Sequence, residues 1–191
     1  KLSVHFSSVS NTVIKITTRN RWLFTNCGDR TRMEHPCKIF RRFQDNYAEY
    51  KDGKYLITKR AEWEKAFPGK WTVPGGKFEV LDYVLREKDT GSHWYNVLED
   101  LLKREVLEEV NLEIENIGYV TSLVYLRDDK IPCLIVSLYA EPKTDDVRLC
   151  PALTEFAWVS LEEARNYDLI EGIYEELEIL DKKLKTGKSW E

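Results

Sequence analysis

Cysteine, histidine and long apolar runs are scarce in this chain of 191 residues. The four cysteines form no Cys-x-x-Cys pair and the three histidines stand far apart, which argues against a zinc site and a disulfide framework. No stretch approaches the roughly 18 apolar residues of a membrane helix, and the first 30 residues lack the apolar segment of a secretory signal. We therefore expect a cytoplasmic protein without a membrane partner.

Acidic residues are rare only at the start of the chain. Residues 1–44 contain nine Lys and Arg against two Asp and Glu, whereas the remainder contains twenty against thirty-one. A basic leader is typical of a nucleic-acid arm or an organelle transit peptide, although a peripheral extension ahead of Met33, the only methionine, is the simpler interpretation. We treat 1–44 as an N-terminal extension and 45–191 as the folded domain, and we do not expect nucleic acid as its substrate.

Alternating strand and helix patterns indicate the fold class. With 42% hydrophobic residues the chain can fill one core. Helical spacing predicts helices at about residues 96–110 and 169–184, and capping patterns start at Asp168 and Ser160. Strands interleaved with helices, one pair forming a hairpin, predict an α/β fold with a mixed sheet between helices. The predicted strands are TVIKI, WLF, YLITKR, WTVP, two runs around RDDK, and EFAWVS.

The predicted helix at 96–110 carries three carboxylates on one side. At about 100° per residue, Glu105, Glu108 and Glu109 fall within an arc of roughly 100°. Leucines one turn earlier mark this face as inward, where crowded ionised carboxylates are costly unless a cation compensates them. Carboxylates without histidine or thiolate nearby suit Mg²⁺ or Mn²⁺. The alternative is an ordinary solvated helix face.

A glycine turn upstream of this helix favours the metal interpretation. Gly75 and Gly76 follow Pro74, and glycine lets the backbone approach a ligand closely. A glycine-rich loop that leads toward a helix N-terminus suits phosphate. We therefore expect both glycines to contact the substrate.

These segments together resemble the Nudix hydrolases, whose box is G-x5-E-x7-R-E-U-x-E-E-x-G-U, with U a bulky apolar residue. The second half is matched by REVLEEVNL, residues 104–112, with Asn111 in place of the usual glycine. Asparagine is the next-best residue at a left-handed helix end. The first half is matched by Gly76 and by Asp82 in place of glutamate. The resemblance covers about residues 50–184 and implies an α/β/α sandwich around a mixed sheet.

The box is interrupted. Between Asp82 and Arg104 stand 21 residues where the family has seven, so we interpret about 83–96 as an insertion with its turn near Gly91. Because the insertion enters the loop beside the metal helix and carries three ring side chains at 93–95, we expect it to form one wall of the substrate pocket.

The resemblance also implies an activity. Members generally hydrolyse the pyrophosphate bond of a nucleoside diphosphate linked to another moiety, by water attack and with Mg²⁺ or Mn²⁺ as cofactor. By matching positions, Glu108 and Glu109 would be metal ligands, and Glu105 a further ligand or the base. Glu155, ahead of the WVS strand end, is a second candidate base or ligand; a solvent-facing strand end is the alternative.

Arg104 would orient a carboxylate through a charge-assisted hydrogen bond. Its partner in the family is the first box glutamate. Here that position is Asp82, whose side chain is shorter and which lies across the insertion from Arg104. Whether Asp82 reaches Arg104 is left open, and Glu79 or Glu99 could pair with the arginine instead.

Residues around the end of the YLITKR strand are candidates for the remaining substrate contacts. Lys59 and Arg60 could meet phosphate, and Trp63, Phe67 or Tyr125 could stack on a base, against the alternative that each is an ordinary packing or surface residue.

Two functions of another class compete with hydrolysis. A catalytically silent Nudix-fold module that senses a nucleotide is the main alternative, and an acidic helical adaptor is the weaker one. The expected partner is a small nucleotide-type molecule, and a homodimer is compatible with the sequence.

Overall fold

The computed structural model describes residues 53–126, 130 and 132–186. The extension 1–44 and the predicted strands TVIKI and WLF lie outside the described residues. The strands are β1 (Tyr55–Arg60), β2 (Trp71–Thr72), β3 (Ile114–Leu126), β4 (Pro132–Pro142) and β5 (Leu153–Val159). The helices are α1 (Leu81–Val84), α2 (Val97–Val110), α3 (Leu161–Ala164) and α4 (Ile173–Thr186).

The strands form two antiparallel groups. One has the order β2-β1-β5, and the other is the β3-β4 hairpin predicted from the runs around RDDK. A parallel bridge between Trp71 and Leu169 adds the second strand direction. Both directions are thus present, as the prediction of a mixed sheet requires.

Side chains of β1 alternate between two cores. Leu56 packs in a cluster with Leu102 of α2, whereas its neighbours Tyr55 and Ile57 pack in a cluster with Leu177 of α4. Successive strand residues point to opposite faces, so α2 and α4 cover opposite sides of the strands. This arrangement confirms the predicted α/β/α sandwich.

The boundaries of α2 follow the sequence closely. The helix begins after Asn96, and its last turn ends at Asn111, which has φ 61° in the left-handed region. The side-chain amide of Asn111 donates to the Asp146 carbonyl at 3.1 Å. Asparagine thus takes the left-handed end expected where the box usually has glycine.

The start of α4 differs from the prediction. The capping pattern at Asp168 predicts a helix from about 169, but α4 begins at Ile173, after Gly172 with φ 94°. The Trp71 amide donates to the Asp168 carbonyl at 2.9 Å, and the Ile170 amide donates to the Trp71 carbonyl at 2.8 Å. Pairing with β2 therefore holds this segment extended. The second pattern, Ser160 with Glu163, does form a capping box that starts α3.

Among the described residues, no helix combines the length and the apolar content that crossing a membrane would take.

Candidate active site

The glycine turn lies directly against the carboxylates of α2. The Gly75 amide donates to Glu109 Oε2 at 2.9 Å. At Gly76, a Cβ atom would stand 1.8 Å from Glu105 Cδ, which no side chain tolerates without displacement. The two halves of the interrupted box therefore meet in one place, and a side chain at position 76 would displace the Glu105 carboxylate.

Arg104 links the halves from the other side. Its Nη2 lies 2.8 Å from Asp82 Oδ1 and 2.8 Å from Glu105 Oε1, and its Nη1 lies 2.9 Å from Glu108 Oε2. The aspartate thus reaches the arginine across the insertion, and neither proposed substitute is needed. Asp82 reaches Arg104 because α1 places it beside α2. The side chain of Asp82 is only 8% exposed there.

Burial perturbs the carboxyl group of Glu105. Its side chain is 13% exposed. Desolvation raises the pKa of the carboxyl above its ordinary value, the charges of Glu108 and Asp82 raise it further, and Arg104 opposes the rise. A perturbed carboxylate in a cleft is typical of a functional site.

A cleft of about 870 Å³ opens at this point. Its lining combines box residues with residues from the β1–β2 loop and α1: Arg60, Trp63, Glu64, Lys65, Ala66, Gly75, Gly76, Lys77, Glu79, Leu81, Asp82, Arg104, Glu105, Glu109 and Ala152. A second cavity of about 350 Å³ lies along residues 164–175 and shares no lining residue with it. We assign the site to the larger cleft because it contains the box.

The cleft brings most of the predicted site residues together. Glu108 is not in its lining: the side chain is 59% exposed and pairs with Arg104. Glu155 is also outside it, 55% exposed and paired with Lys59 at 2.7 Å across β1 and β5. The proposed roles of Glu108 and Glu155 remain predictions.

Arg60 lines the cleft but is engaged by its own loop. Its Nε donates to the Ala66 carbonyl and its Nη2 to Glu64 Oε2, both at 2.8 Å. The arginine therefore fixes the loop that follows β1.

By contrast, Lys65 and Lys77 line the same cleft and make no ion pair with any residue in the described part of the chain. Neither lysine was predicted from the sequence as a site residue, because no motif distinguishes them from other surface lysines.

The insertion does not form the expected wall. None of residues 83–96 lines the cleft. Instead Trp94 packs edge-on against Tyr83, with ring centroids 5.1 Å apart, and Tyr83 stacks on Phe78 at 5.6 Å. The aromatic side chains thus hold the insertion to α1, which explains why they turn away from the cleft.

The donor set fits a hard divalent cation. Glu105 and Glu109 bring carboxylate oxygens to one cleft, and the lining has five acidic against four basic side chains. An anionic phosphate is unfavourable there without a cation, and oxygen ligands suit Mg²⁺ or Mn²⁺. With the side chains as they stand, no group of three Asp, Glu, His or Cys residues between 53 and 186, where described, is arranged to hold a metal ion. A third ligand, Glu108 in our prediction, would have to leave Arg104.

Fold and site define a class: an α/β/α hydrolase whose glycine turn faces the carboxylates of one helix. The chain belongs to the Nudix family, since the family model described as NUDIX domain matches residues 48–178. The resemblance found in the interrupted box is thereby confirmed, and the chain is a Nudix-type hydrolase. One curated relative is the nucleoside triphosphatase NudI of Klebsiella pneumoniae, 26% identical over 128 residues, or 62% of this chain and 81% of the relative.

Solved structures agree on the fold. The MutT NUDIX hydrolase of Burkholderia pseudomallei superposes with a TM-score of 0.56 at 20% identity, over 73% of this chain and 97% of its own. The NUDIX domain of Shewanella oneidensis NrtR, solved with ADP ribose, gives a TM-score of 0.58 at 18% identity, over 75% and 86%.

Proposed function

We propose that this protein hydrolyses the pyrophosphate bond of a nucleoside diphosphate linked to another moiety, with Mg²⁺ or Mn²⁺ as cofactor. One observation carries the proposal: Gly75 and Gly76 stand against Glu109 and Glu105 in a cleft that also contains Lys65 and Lys77, which pair with no acidic residue that the structure describes. A cation between them would offset the repulsion between the phosphate and these carboxylates. The triphosphatase activity named for the curated relatives supports the same bond type.

The residues of the cleft divide into three roles. Glu109, joined by Glu108, would hold the cation, which when bound neutralises phosphate charge and lowers the pKa of water; Glu105 would be a further ligand or the base. Lys65 and Lys77 would attract the phosphates. Asp82 and Arg104 orient Glu105, because Arg104 contacts both carboxylates at 2.8 Å.

The proton acceptor in this proposal is Glu105. Burial raises the pKa of its carboxyl, so it is a stronger base than an exposed glutamate. The other candidate, Glu155, is held by Lys59 outside the cleft lining.

A substrate screen tests the proposal. Nucleoside triphosphates, dinucleotides and nucleotide sugars would be incubated with Mg²⁺, and phosphate or pyrophosphate release measured with and without EDTA. We expect metal-dependent release from at least one class. Binding of a cation to the folded state alone also raises the melting temperature, so Mg²⁺ should stabilise the protein and should stabilise Glu109→Gln less.

The same experiments separate the alternatives. A nucleotide-sensing module would be stabilised by a nucleotide and release nothing from any substrate. An acidic adaptor would show neither release nor stabilisation by Mg²⁺. Either result would refute hydrolysis as the function.

A further inference from the structure

Two large apolar side chains line the cleft and are left open to solvent. Trp63 is 70% exposed and Leu81 is 66% exposed. They come from different segments, Trp63 from the β1–β2 loop and Leu81 from the first position of α1. Tryptophan is usually highly buried, so an indole this exposed in a charged cleft calls for a ligand with an apolar face.

The structure distinguishes Trp63 from the other candidate aromatics. Phe67 and Tyr125 face one another, with ring centroids 6.5 Å apart, and neither lines the cleft. Trp63 makes no ring contact or hydrogen bond to a residue that the structure describes. Its indole face is therefore available to a ligand.

The residue that follows each of these apolar side chains pairs with an arginine of the cleft. Trp63 precedes Glu64, whose carboxylate pairs with Arg60 at 2.8 Å. Leu81 precedes Asp82, whose carboxylate pairs with Arg104 at 2.8 Å. Because each backbone segment is tied down, the apolar surface is positioned before a ligand arrives, which lowers the entropy cost of binding.

We infer that Trp63 and Leu81 bind the base of the substrate, with the nucleobase stacked on the indole of Trp63. The inference rests on the proposed function, which places the phosphates of the same molecule in this cleft, at Lys65 and Lys77. A flat heterocycle matches the indole face, and base–aromatic stacking contributes roughly 1–3 kcal/mol.

Stacking also predicts tolerance toward the base. Among the described residues, no Asn, Gln, Ser, Thr or Tyr side chain lines the cleft. The cleft therefore has few neutral polar side chains with which to read the base edge, and stacking is tolerant because every base has a π-face. We expect all four common bases to be accepted, with purines preferred.

Equilibrium binding tests the inference independently of catalysis. The probes are α,β-methylene-ADP, which has no cleavable anhydride, and methylenediphosphonate, which has the same phosphonate linkage but no base. Calorimetry with Mg²⁺ gives the dissociation constant of methylenediphosphonate divided by that of α,β-methylene-ADP, a ratio that rises with the contribution of the base. In Trp63→Ala this ratio should fall by roughly 5- to 150-fold, the loss of one stack, and Trp63→Phe should restore most of it. Leu81→Ala should reduce the ratio less.

Tyr95→Ala is the matched control, since Tyr95 is an exposed aromatic residue, 54% accessible, that lies outside the cleft lining. It should leave the ratio unchanged. An unchanged ratio in Trp63→Ala, or no preference for the nucleotide in the unmodified protein, would overturn the inference. If the unmodified protein prefers the nucleotide through Trp63 but hydrolyses nothing, base recognition stands and the proposed hydrolysis falls.

Discussion

At the scale of single residues, the glutamates of α2 are the most direct test of the chemistry. Glu109→Gln keeps the size of the side chain and removes the charge that would bind a cation. We expect hydrolysis to fall more than about a hundredfold, since even changes to groups that support a metal ligand cost roughly 10–100-fold. Initial rates at saturating Mg²⁺ would show it.

Glu99→Gln is the control for this change, because Glu99 lies on the same helix but does not line the cleft. Its rate should stay close to that of the unmodified protein. Equal rates for Glu109→Gln and the unmodified protein would refute the proposed mechanism.

Gly76 tests how closely the turn approaches α2. In Gly76→Ala the new Cβ would lie 1.8 Å from Glu105 Cδ, so the Glu105 side chain must move. Because that side chain is flexible, the melting temperature should change little, whereas the hydrolysis rate should fall at least about tenfold as the carboxylate leaves its position. Gly91→Ala, where a Cβ meets nothing within 4 Å, should change neither. A fully active Gly76→Ala would show that Glu105 works equally well from another position.

At the scale of elements, the end of α2 tests the left-handed residue. Asn111 has φ 61°, a conformation that costs most residues about 1–2 kcal/mol and glycine almost nothing. Asn111→Ala should therefore lower the free energy of unfolding by about 1–2 kcal/mol, and Asn111→Gly should change it by less than about 1 kcal/mol. Urea denaturation measures both. A larger loss in the glycine variant than in the alanine variant would mean that the amide contact to Asp146, and not the backbone conformation, stabilises this end.

At the scale of the whole molecule, the match to the family model begins at residue 48. We therefore expect residues 45–191 to fold alone, with the melting temperature within a few degrees of the full chain and the same hydrolysis rate. Differential scanning calorimetry and the rate assay decide this. Loss of a cooperative transition would show that residues 1–44 complete the domain.

The sequence by itself determined those features of the fold and of the site that depend on residues close together in the chain. The spacing of α2, the left-handed Asn111, the capping box at Ser160 and the hairpin each depend on residues close together in the chain. The same holds for the second half of the box, because the fixed rise and turn of one helix bring Glu105 and Glu109 to the same cleft.

Contacts between distant segments were decided only by the tertiary structure. Whether Asp82 reaches Arg104 depends on how α1 and the insertion pack, which no local pattern specifies. The start of α4 was predicted wrongly because pairing with Trp71 outweighs a capping pattern. The sequence does not distinguish Trp63 from Phe67 and Tyr125. In the structure Trp63 is exposed in the cleft, whereas the other two contact each other outside it. The cleft was also decided by the tertiary structure. It forms where β1, α1 and α2 converge, and this brings together its lysines, its apolar side chains and its carboxylates. The convergence results from core packing.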